Sequence, residues 1–290
     1  MVDKITRREF LKSGLNICAS VGVSSLGISD YVQHLVKEKN GTESTRFTGS
    51  STVVKSESLI NRRQLNHEQQ QFIVDHAIVK GDSTLPKIIM TYDDWPYNPD
   101  QLSQILDAYK GLGSATFFML GDRLNYLADG KLKDYGWNNT DIIKRIVDEG
   151  HEIGCHGWQH DTPMTQLKDS TLSLQFEQWF EAFHKILPNQ GVSHFRAPFG
   201  AEDLRVKKIA ARYGLQHVLW NVESGGQTNQ TYDNVINGVA ENGFGTIVLS
   251  HLQRDYDVRY ASKIVSYLVE SGMLLNNVTN GINSKDRLII

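Results

Sequence analysis

From Lys87 onward, short apolar runs alternate with amphipathic stretches along the chain. The apolar runs have the length of buried strands, and the stretches between them repeat apolar residues every three or four positions, as helices do. Seven strands separated by six helices predict an α/β fold, with a parallel sheet curled into a distorted (β/α) barrel of about seven strands. The runs that predict the strands are KIIMTY, ATFFML, HEIGC, SHFRA, LQHVLWNV, GTIVLS and MLLNNV.

The chain before residue 85 follows a different pattern. Residues 30–84 are polar and lack a sustained period, so we interpret them as a linker or N-terminal extension of a domain spanning residues 85–290. Residues 1–29 carry the charged TRREFLK and then a weakly apolar stretch, which is typical of an export signal. TRREFLK resembles the twin-arginine signal. The resemblance implies a bacterial protein that the twin-arginine machinery exports, periplasmic or secreted, with no stable membrane span after signal cleavage.

Composition narrows the class of protein. Of the 290 residues, 40% are hydrophobic and 22% are charged, the proportions of an ordinary globular protein. The net charge of −3, with no basic run beyond the N-terminus, argues against a nucleic-acid partner. No internal apolar segment is long enough to predict a membrane-spanning helix. After signal cleavage Cys155 is the one remaining cysteine, so no internal disulfide can form, and we interpret it as a small buried residue.

Ionisable residues follow the carboxyl ends of five predicted strands. In a parallel barrel these ends meet at one rim, where the active site forms. Each group alone also fits a structural role, because paired aspartates often lie in solvated turns and single histidines are often structural. Their shared position at one rim favours a joint site. The residues are Asp93 and Asp94, His156 and His160, Arg196, Asn221 and Glu223, and His251.

These residue types suit metal-assisted hydrolysis of an acyl group. Two imidazoles four positions apart and one carboxylate make a three-ligand site that leaves positions open for water and substrate. A metal lowers the pKa of a bound water from about 15.7 towards about 7. A second aspartate is then free to act as a base, with an arginine beside it to keep it ionised. A histidine across the site can protonate the leaving group, an effect of roughly 10²–10⁴ in rate.

The motifs around these residues resemble those of the polysaccharide deacetylases, carbohydrate esterase family 4, which share the chitooligosaccharide deacetylase homology domain of nodulation enzymes. TYDDW is similar to the family's Thr-Phe-Asp-Asp-Gly, and HGWQH to its His-Ser/Thr-x-x-His. RAPFG fits Arg-x-Pro-x-Gly, and IVLSH fits a late Leu-x-Leu-x-His-like motif. The resemblance covers about residues 85–283 in the family's order. It implies a distorted barrel and a hydrolase that cleaves linear amides of acetylated sugars.

Carried over position by position, the resemblance implies a metal site. Asp94, His156 and His160 would bind a divalent metal. The family most often uses zinc, and cobalt, nickel or manganese are alternatives. The resemblance thus implies a reason why the two histidines lie four residues apart, which is that both would bind the same ion.

The resemblance also implies the catalytic groups. Asp93 would be the base that activates water, Arg196 would hold Asp93, and His251 would be the acid that protonates the departing amine or alcohol. The backbone N–H of Phe199 would stabilise the oxyanion, the electrostatic contribution that usually dominates acyl transfer. Leu249 would line the pocket for the acetyl methyl group.

The chain departs from the family pattern in two places. Trp95 replaces a glycine, and its ring predicts either a stacking surface for a sugar or a packed plug in the groove. In the fourth motif, WNVESGGQ, Gly226 and Gln227 replace the Asp-Trp pair, so the aspartate that supports the acid histidine is missing. Three nearby carboxylates could replace it, of which Glu223 is our prediction. They are Glu223, Asp255 and Asp257.

Three functions remain open on these observations. The first is a metal-dependent deacetylase acting on N-acetylated sugars of an envelope or extracellular polysaccharide or oligosaccharide. The second is an O-acetyl esterase, which tolerates a weak acid better because an alkoxide leaves more easily than an amide nitrogen. The third is a glycan- or metal-binding protein without turnover. Asp93, Arg196 and His251 argue against the third, because a binding protein needs none of them, and also against an iron oxygenase.

Overall fold

The computed structural model describes residues 65–137, 140–226 and 228–286. The predicted export signal and most of the predicted linker lie outside the described residues, as do Asn138, Asn139 and Gln227. Among the helices that the structure describes, none combines the length and the apolar character that a membrane crossing requires.

A parallel sheet forms the centre of the molecule. Its strands are β1 (Lys87–Asp94), β2 (Thr116–Met119), β3 (Glu152–Cys155), β4 (His194–Phe195), β5 (Gln216–His217), β6 (Val222–Glu223), β7 (Ile247–His251) and β8 (Leu274–Asn276). The order across the sheet is β5-β4-β3-β2-β1-β7-β6, and β8 pairs with β1 beside this path. Every pairing is parallel. The predicted α/β class, a distorted barrel of about seven parallel strands, is confirmed.

Helices connect these strands, as the sequence alternation predicts. They are α1 (His67–Asp75), α2 (Pro99–Tyr109), α3 (Gly121–Ala128), α4 (Asp141–Asp148), α5 (Asp169–Ile186), α6 (Leu204–Ala211), α7 (Thr231–Asn242), α8 (Asp255–Glu270) and α9 (Val278–Gly281). The start of α2 is encoded locally. The Asn98 side chain accepts a hydrogen bond from the backbone N–H of Gln101 at 3.1 Å, and Pro99 occupies the first turn, where its missing N–H costs nothing.

The segment LQHVLWNV differs from its prediction as one strand. It forms β5 and β6, which lie at opposite edges of the sheet. The residues between β5 and β6 cross the gap between the two edges of the open sheet. The chain before β1 fills part of this gap. Ile78 forms a parallel bridge with Val218, donating to the carbonyl of His217 at 2.8 Å and accepting from Leu219 at 2.8 Å. Apolar periodicity alone cannot show such a crossing, because the residues on both sides of it are buried.

Residues before position 85 also pack against the barrel. Ile73 and Val74 of α1 are buried in a cluster with Leu65 and with Ala211 of α6. The Asn66 side chain accepts a hydrogen bond from Gln69, and the Gln69 side chain accepts one in return, so a capping box begins α1. The helix HEQQQFIVD therefore has its apolar side covered by the domain.

The amino ends of the strands carry a buried polar network. The Glu152 carboxylate, at the start of β3, accepts hydrogen bonds from His194 Nδ1 at 2.5 Å and from Thr116 Oγ1 at 3.0 Å. It also accepts from the backbone N–H of Thr279 at 3.0 Å and from its hydroxyl at 3.2 Å. Four donors thus join β2, β3, β4 and α9 through one carboxylate, so both of its oxygens are satisfied.

Candidate metal centre and active site

Four strands bring ionisable side chains to the opposite, carboxyl rim. β1 ends in Asp93 and Asp94, and β7 ends in His251, whose Cα is the register partner of Asp93. β3 and β4 are paired side by side, and the residues that follow them are His156 and Arg196. Parallel pairing therefore gathers these groups at one end of the sheet, which is where the alternation of strands and helices predicts them.

Asp94, His156 and His160 form a cluster that could hold a metal ion. Their donor atoms all lie within 4.8 Å of one another. The Asp94 Oδ1 atom is 3.4 Å from His156 Nε2 and 3.7 Å from His160 Nε2. This carboxylate oxygen is buried and accepts no hydrogen bond from the described residues. A buried anionic oxygen that faces two imidazole nitrogens fits a divalent cation, and the donor set of two nitrogens and one oxygen suits zinc.

Contacts behind the cluster orient its donors. The Nδ1 atom of His156 lies 2.8 Å from the backbone carbonyl of Arg196, which places the ring proton on that nitrogen and leaves Nε2 with a lone pair. Gln253 donates its side-chain amide to the Asp94 Oδ2 atom, so only Oδ1 remains free. The His160 ring packs edge-on against the ring of Phe199, with centroids 4.2 Å apart.

The electrostatics of Asp94 agree with a metal ligand. Burial alone raises the pKa of this carboxyl group. The neighbouring imidazole of His156, the amide of Gln253 and the charge of His160 lower the pKa by more, so the pKa of Asp94 lies well below its usual value. Asp94 is therefore ionised over the whole physiological range, which a metal ligand requires.

Arg196 fixes the second aspartate. Its Nη1 donates to Asp93 Oδ1 at 2.7 Å and to Thr91 Oγ1 at 2.8 Å. Its Nε and Nη2 donate to the carbonyls of Val218 and Leu219 at 3.1 and 3.0 Å. The side chain is 0% exposed. Arg196 thus connects Asp93 to the crossing segment between β5 and β6.

His251 has a carboxylate neighbour, but it is not Glu223. The Glu223 side chain is 49% exposed and lies 3.4 Å from Arg254 Nη1, because β6 ends with this residue turned towards solvent. Asp257, in the first turn of α8, is 2% exposed. Its Oδ2 atom accepts a hydrogen bond from the backbone N–H of His251 at 2.8 Å and lies 4.0 Å from His251 Nδ1. The structure thus puts Asp257 in the place for which the sequence analysis predicts Glu223.

The predicted pocket residues occupy three different environments. Leu249 is buried in β7, two positions before His251, and residues two apart on a strand share a face. Trp95 is 9% exposed, and its ring packs against Trp137 with centroids 4.7 Å apart. That contact corresponds to the packed alternative for Trp95 rather than to an open stacking surface. Phe199 is 56% exposed beside His160.

Among the described residues, the two non-glycine residues with a positive φ both lie at this rim. Of the described residues other than glycine, Asp94 and Phe199 have positive φ values, 75° and 62°. A non-glycine residue in this region costs of order 1–3 kcal/mol, and such residues cluster at functional sites. In this fold both strained residues contact the candidate metal cluster, Asp94 as a member and Phe199 through the ring of His160.

Comparison with known proteins agrees with this geometry. A family model described as polysaccharide deacetylase matches residues 80–218. The peptidoglycan-N-acetylglucosamine deacetylase of Bacillus cereus is 30% identical over 198 residues, which are 64% of this chain and 83% of that protein. The chain belongs to the polysaccharide deacetylase family. This membership confirms the resemblance inferred from the TYDDW, HGWQH and RAPFG motifs, and it supports a hydrolase of the deacetylase class.

Other members of the polysaccharide deacetylase family differ in length and in activity. Chitin deacetylase 2 of Saccharomyces cerevisiae is 28% identical over 208 residues, and the match covers 69% of this chain and 61% of that protein. The structure of a wild-type pseudoenzyme of carbohydrate esterase family 4 from Bacillus anthracis superposes with a TM-score of 0.58. That match covers 71% of this chain and 68% of the other at 23% identity, so it supports the fold alone.

Sequence motifs do not identify every residue that contacts this site. Gln253 binds Asp94 and Trp137 packs on Trp95, yet both lie outside the family's short motifs. The sequence offers three candidate carboxylates beside His251. The position of the first turn of α8 in the structure selects Asp257 among them. An acidic residue in the first turn of a helix after a motif strand is the one sequence signal available for it.

Proposed function

We propose that this chain is a metal-dependent hydrolase that removes acetyl groups from N-acetylated sugars of an envelope or extracellular polysaccharide. The proposal rests on the arrangement of a candidate metal cluster, a second aspartate and an arginine at one rim of the barrel. The cluster of Asp94, His156 and His160 has an unsatisfied buried oxygen, and Asp93 beside it is held by Arg196. Family membership supports the same reaction class, because curated relatives are named as chitin and peptidoglycan deacetylases.

The proposed metal site consists of Asp94, His156 and His160, with zinc as the proposed ion. A divalent metal bound there would polarise the acyl oxygen and lower the pKa of a water molecule. Two features of the chain favour metal binding. The hydrogen bond at Nδ1 leaves His156 Nε2 free to bind a metal, and Asp94 is ionised. Cobalt, nickel and manganese are alternatives, because nitrogen and oxygen donors accept several divalent ions.

The proposed catalytic groups divide the proton transfers. Asp93 accepts a proton from the attacking water, and Arg196 holds Asp93 in place. His251 donates a proton to the departing amine nitrogen, so that the carbon–nitrogen bond breaks to give a neutral amine and acetic acid, which then loses its proton to solvent as acetate. The backbone N–H of Phe199 would stabilise the oxyanion, and Leu249 and Trp95 would form the wall around the acetyl methyl group.

One observation favours the O-acetyl esterase alternative. Burial, reinforced by the charge of Arg254, lowers the pKa of His251 to about 4 against the opposing effects of Asp93, Asp94 and Glu223. A neutral imidazole is a poor proton donor at pH 7, and an ester needs less help from an acid than an amide does. A binding protein without turnover is the remaining alternative, and a pseudoenzyme is among the structural neighbours.

The cellular context is part of the proposal. We infer export through the twin-arginine machinery from residues 1–29, a linker or N-terminal extension at residues 30–84, and a catalytic domain at residues 85–290. The part of the extension from Leu65 onward packs on the barrel. A folded metalloenzyme with a polysaccharide substrate suits a periplasmic or secreted location. Acetylated glycan is the proposed partner, and nucleic acid is not.

Acetate release from defined substrates tests the function. The purified protein, loaded with zinc, is offered N-acetylated chitooligosaccharides, peptidoglycan fragments and an O-acetylated sugar ester. We expect release from an N-acetylated substrate, with a loss of at least about 10²-fold in Asp93→Asn. Asp100→Asn is the matched control, because Asp100 is an exposed aspartate in the first turn of α2.

The other outcomes separate the alternatives. Release from the ester alone would move the assignment to an O-acetyl esterase. Tight zinc binding without release from any of the three substrates would contradict a deacetylase and support the binding protein.

A further inference from the structure

His251 and Asp257 are each left with an unsatisfied buried atom, and the two atoms are complementary. Among the described residues, His251 Nδ1 and Asp257 Oδ1 accept or donate no hydrogen bond, although both are buried. Such groups are rare in folded proteins, and each calls for an explanation, such as a catalytic role or a bound water or ion. The nearest pair of atoms across the contact, His251 Nδ1 and Asp257 Oδ2, is 4.0 Å apart.

The position of Asp257 is coupled to the missing aspartate of the fourth motif. A Cβ atom at Gly226 would overlap the Asp257 carboxylate. A side chain at position 226 and the carboxylate of Asp257 thus compete for the same space. The glycine that removes the family's usual acid from the fourth motif is also what admits a carboxylate from α8.

The backbone holds the Asp257 carboxylate beside the imidazole. Its Oδ2 atom accepts the His251 backbone N–H at 2.8 Å, so the carboxylate is attached to the same residue whose ring it faces. Asp257 also lies in the first turn of α8, where the helix dipole stabilises a negative charge. Arg254 does not compete for it, because its Nη1 is 3.4 Å from Glu223 instead.

We propose that Asp257 is the positioning residue for His251 and replaces the carboxylate that the fourth motif lacks. Its carboxylate accepts a hydrogen bond from the His251 Nδ1–H and remains ionised. It thereby stabilises the imidazolium that forms when Nε2 takes up a proton during the reaction, and that Nε2 proton passes to the leaving nitrogen. The gap must close by about 1 Å to reach hydrogen-bond distance, as is common when catalytic contacts tighten on substrate binding. The catalytic role of Asp257 rests on the proposed deacetylase function. The contact between Asp257 and His251 does not depend on that function.

The charges around the imidazole are consistent with this role. Burial raises the pKa of Asp257 to about 6, against the lowering effects of the Ser224 hydroxyl, the His251 amide and Arg254. The carboxylate is therefore ionised at neutral pH and can stabilise an imidazolium that forms beside it. The other charged groups that act on His251 are Asp93, Asp94, Arg254 and Glu223.

The first test compares two leaving groups in Asp257→Asn. Amide cleavage of a zinc-loaded N-acetylated chitooligosaccharide needs a proton donor, whereas an aryl acetate releases a stable phenolate without one. We expect kcat on the amide to fall by about 10²-fold with little change in KM, and hydrolysis of the aryl acetate to fall by less than about 3-fold. Asp255→Asn is the matched control, because Asp255 is an exposed aspartate in the same helical turn.

The second test needs neither metal nor activity. Nitrogen-15 spectra of the metal-free protein report the tautomer and titration of His251, assigned by comparison with His251→Gln. We expect the wild type to carry its proton on Nδ1. We also expect Asp257→Asn to lose that preference and to titrate about one pH unit lower. Asp255→Asn should leave the His251 signals unchanged.

A double variant distinguishes the loss of a carboxylate beside His251 from a general loss of folding. Asp257→Gly combined with Gly226→Asp moves the carboxylate to the fourth motif, and we expect it to recover at least about a tenth of the amide activity that Asp257→Gly loses. Two results would overturn the inference. One is an equal loss of kcat on the amide and on the aryl acetate in Asp257→Asn, and the other is a His251 spectrum that Asp257→Asn leaves unchanged. If the wild type cleaves neither substrate, the proposed function fails, and the spectra alone decide whether Asp257 positions His251.

Discussion

The two ends of the sheet each hold a carboxylate beside histidine, but only one of them is satisfied. At the amino end, Glu152 accepts four hydrogen bonds, including one from His194 Nδ1 at 2.5 Å. At the carboxyl end, Asp94 Oδ1 accepts none from the described residues and faces two imidazole nitrogens at 3.4 and 3.7 Å. The same residue types therefore serve stability at one end and, by our proposal, metal binding at the other.

The difference lies in what surrounds each carboxylate. Thr116 and Thr279 supply hydroxyl and backbone donors to Glu152, so no lone pair is left for an ion. Asp94 receives one amide donor, from Gln253, on the oxygen that points away from the histidines. Residue type alone cannot separate a structural pair from a ligand set. The number of donors that the fold supplies can separate them.

Removing the Asp94 charge gives the largest expected effect on the metal. Three ligands share a binding free energy of roughly 10–16 kcal/mol in strong zinc sites, so Asp94→Asn should cost about 3–5 kcal/mol, or roughly 10²–10⁴-fold in the zinc Kd. Competition with a chromogenic chelator measures this. In metal-free protein the same change should lower the free energy of unfolding by no more than about 2 kcal/mol, because the asparagine keeps a side-chain oxygen for Gln253 and loses only the attraction to the two imidazoles. A metal-free protein destabilised by more than 2 kcal/mol would contradict the comparison.

Removing the Glu152 carboxylate should have the opposite profile. Glu152→Ala leaves four donors without an acceptor, and we expect the free energy of unfolding to fall by about 3–5 kcal/mol. Denaturant titration in the presence of a chelator checks this value. The zinc Kd of the folded fraction should stay within about 3-fold of the wild type. A Glu152 variant that lost zinc affinity instead would mean that the two ends of the sheet do not act independently.

A smaller effect is expected from the residue behind the ligand. Gln253→Leu removes the amide that orients Asp94, and residues that orient metal ligands typically affect affinity by about 10–100-fold. Isothermal titration with zinc measures the change. Thr279→Val is the matched variant at the other end, and we expect it to lower stability by about 1 kcal/mol without changing zinc affinity. An unchanged zinc Kd in Gln253→Leu would show that Asp94 is positioned by β1 alone.

The sequence predicts the rim well because a parallel barrel has a simple rule. Once the strands are found, the residues at their carboxyl ends must meet, and Asp94, His156, Arg196 and His251 do. The rule says nothing about residues that reach the rim from helices or loops. Asp257 comes from the start of α8, six residues after His251, and its contact depends on how the helix begins. Gln253 comes from the turn before α8, and its contact with Asp94 spans a long sequence distance.

The misassigned segment has a related cause. LQHVLWNV is rich in apolar residues, which fits a buried strand, yet it crosses from one edge of the sheet to the other. Ile78, from a stretch that the sequence interprets as linker, supplies the missing backbone partners. Local pattern identifies burial, and only the arrangement of the whole sheet shows which backbone groups remain to be paired.

The smallest expected effect is a pH dependence that belongs to the amino end. Burial raises the pKa of Glu152, but His194, the Thr279 amide and the Thr116 hydroxyl lower it by more, so its folded value lies below its unfolded value of about 4.5. Its contribution to stability is therefore complete above pH ~4.5 and is lost as pH falls through the folded pKa. The loss is at most about 1.4 kcal/mol per pH unit.

Glu152→Gln should remove this part of the acid dependence. Denaturant midpoints of the metal-free protein, measured from pH 6 to pH 3 at about half-unit steps, compare its slope with that of the wild type. Glu241→Gln is the control, because Glu241 is an exposed glutamate near the end of α7. Identical slopes in Glu152→Gln and wild type would mean that the network at the amino end does not depend on the charge of Glu152. The contrast between the two ends would then rest on hydrogen-bond donors alone.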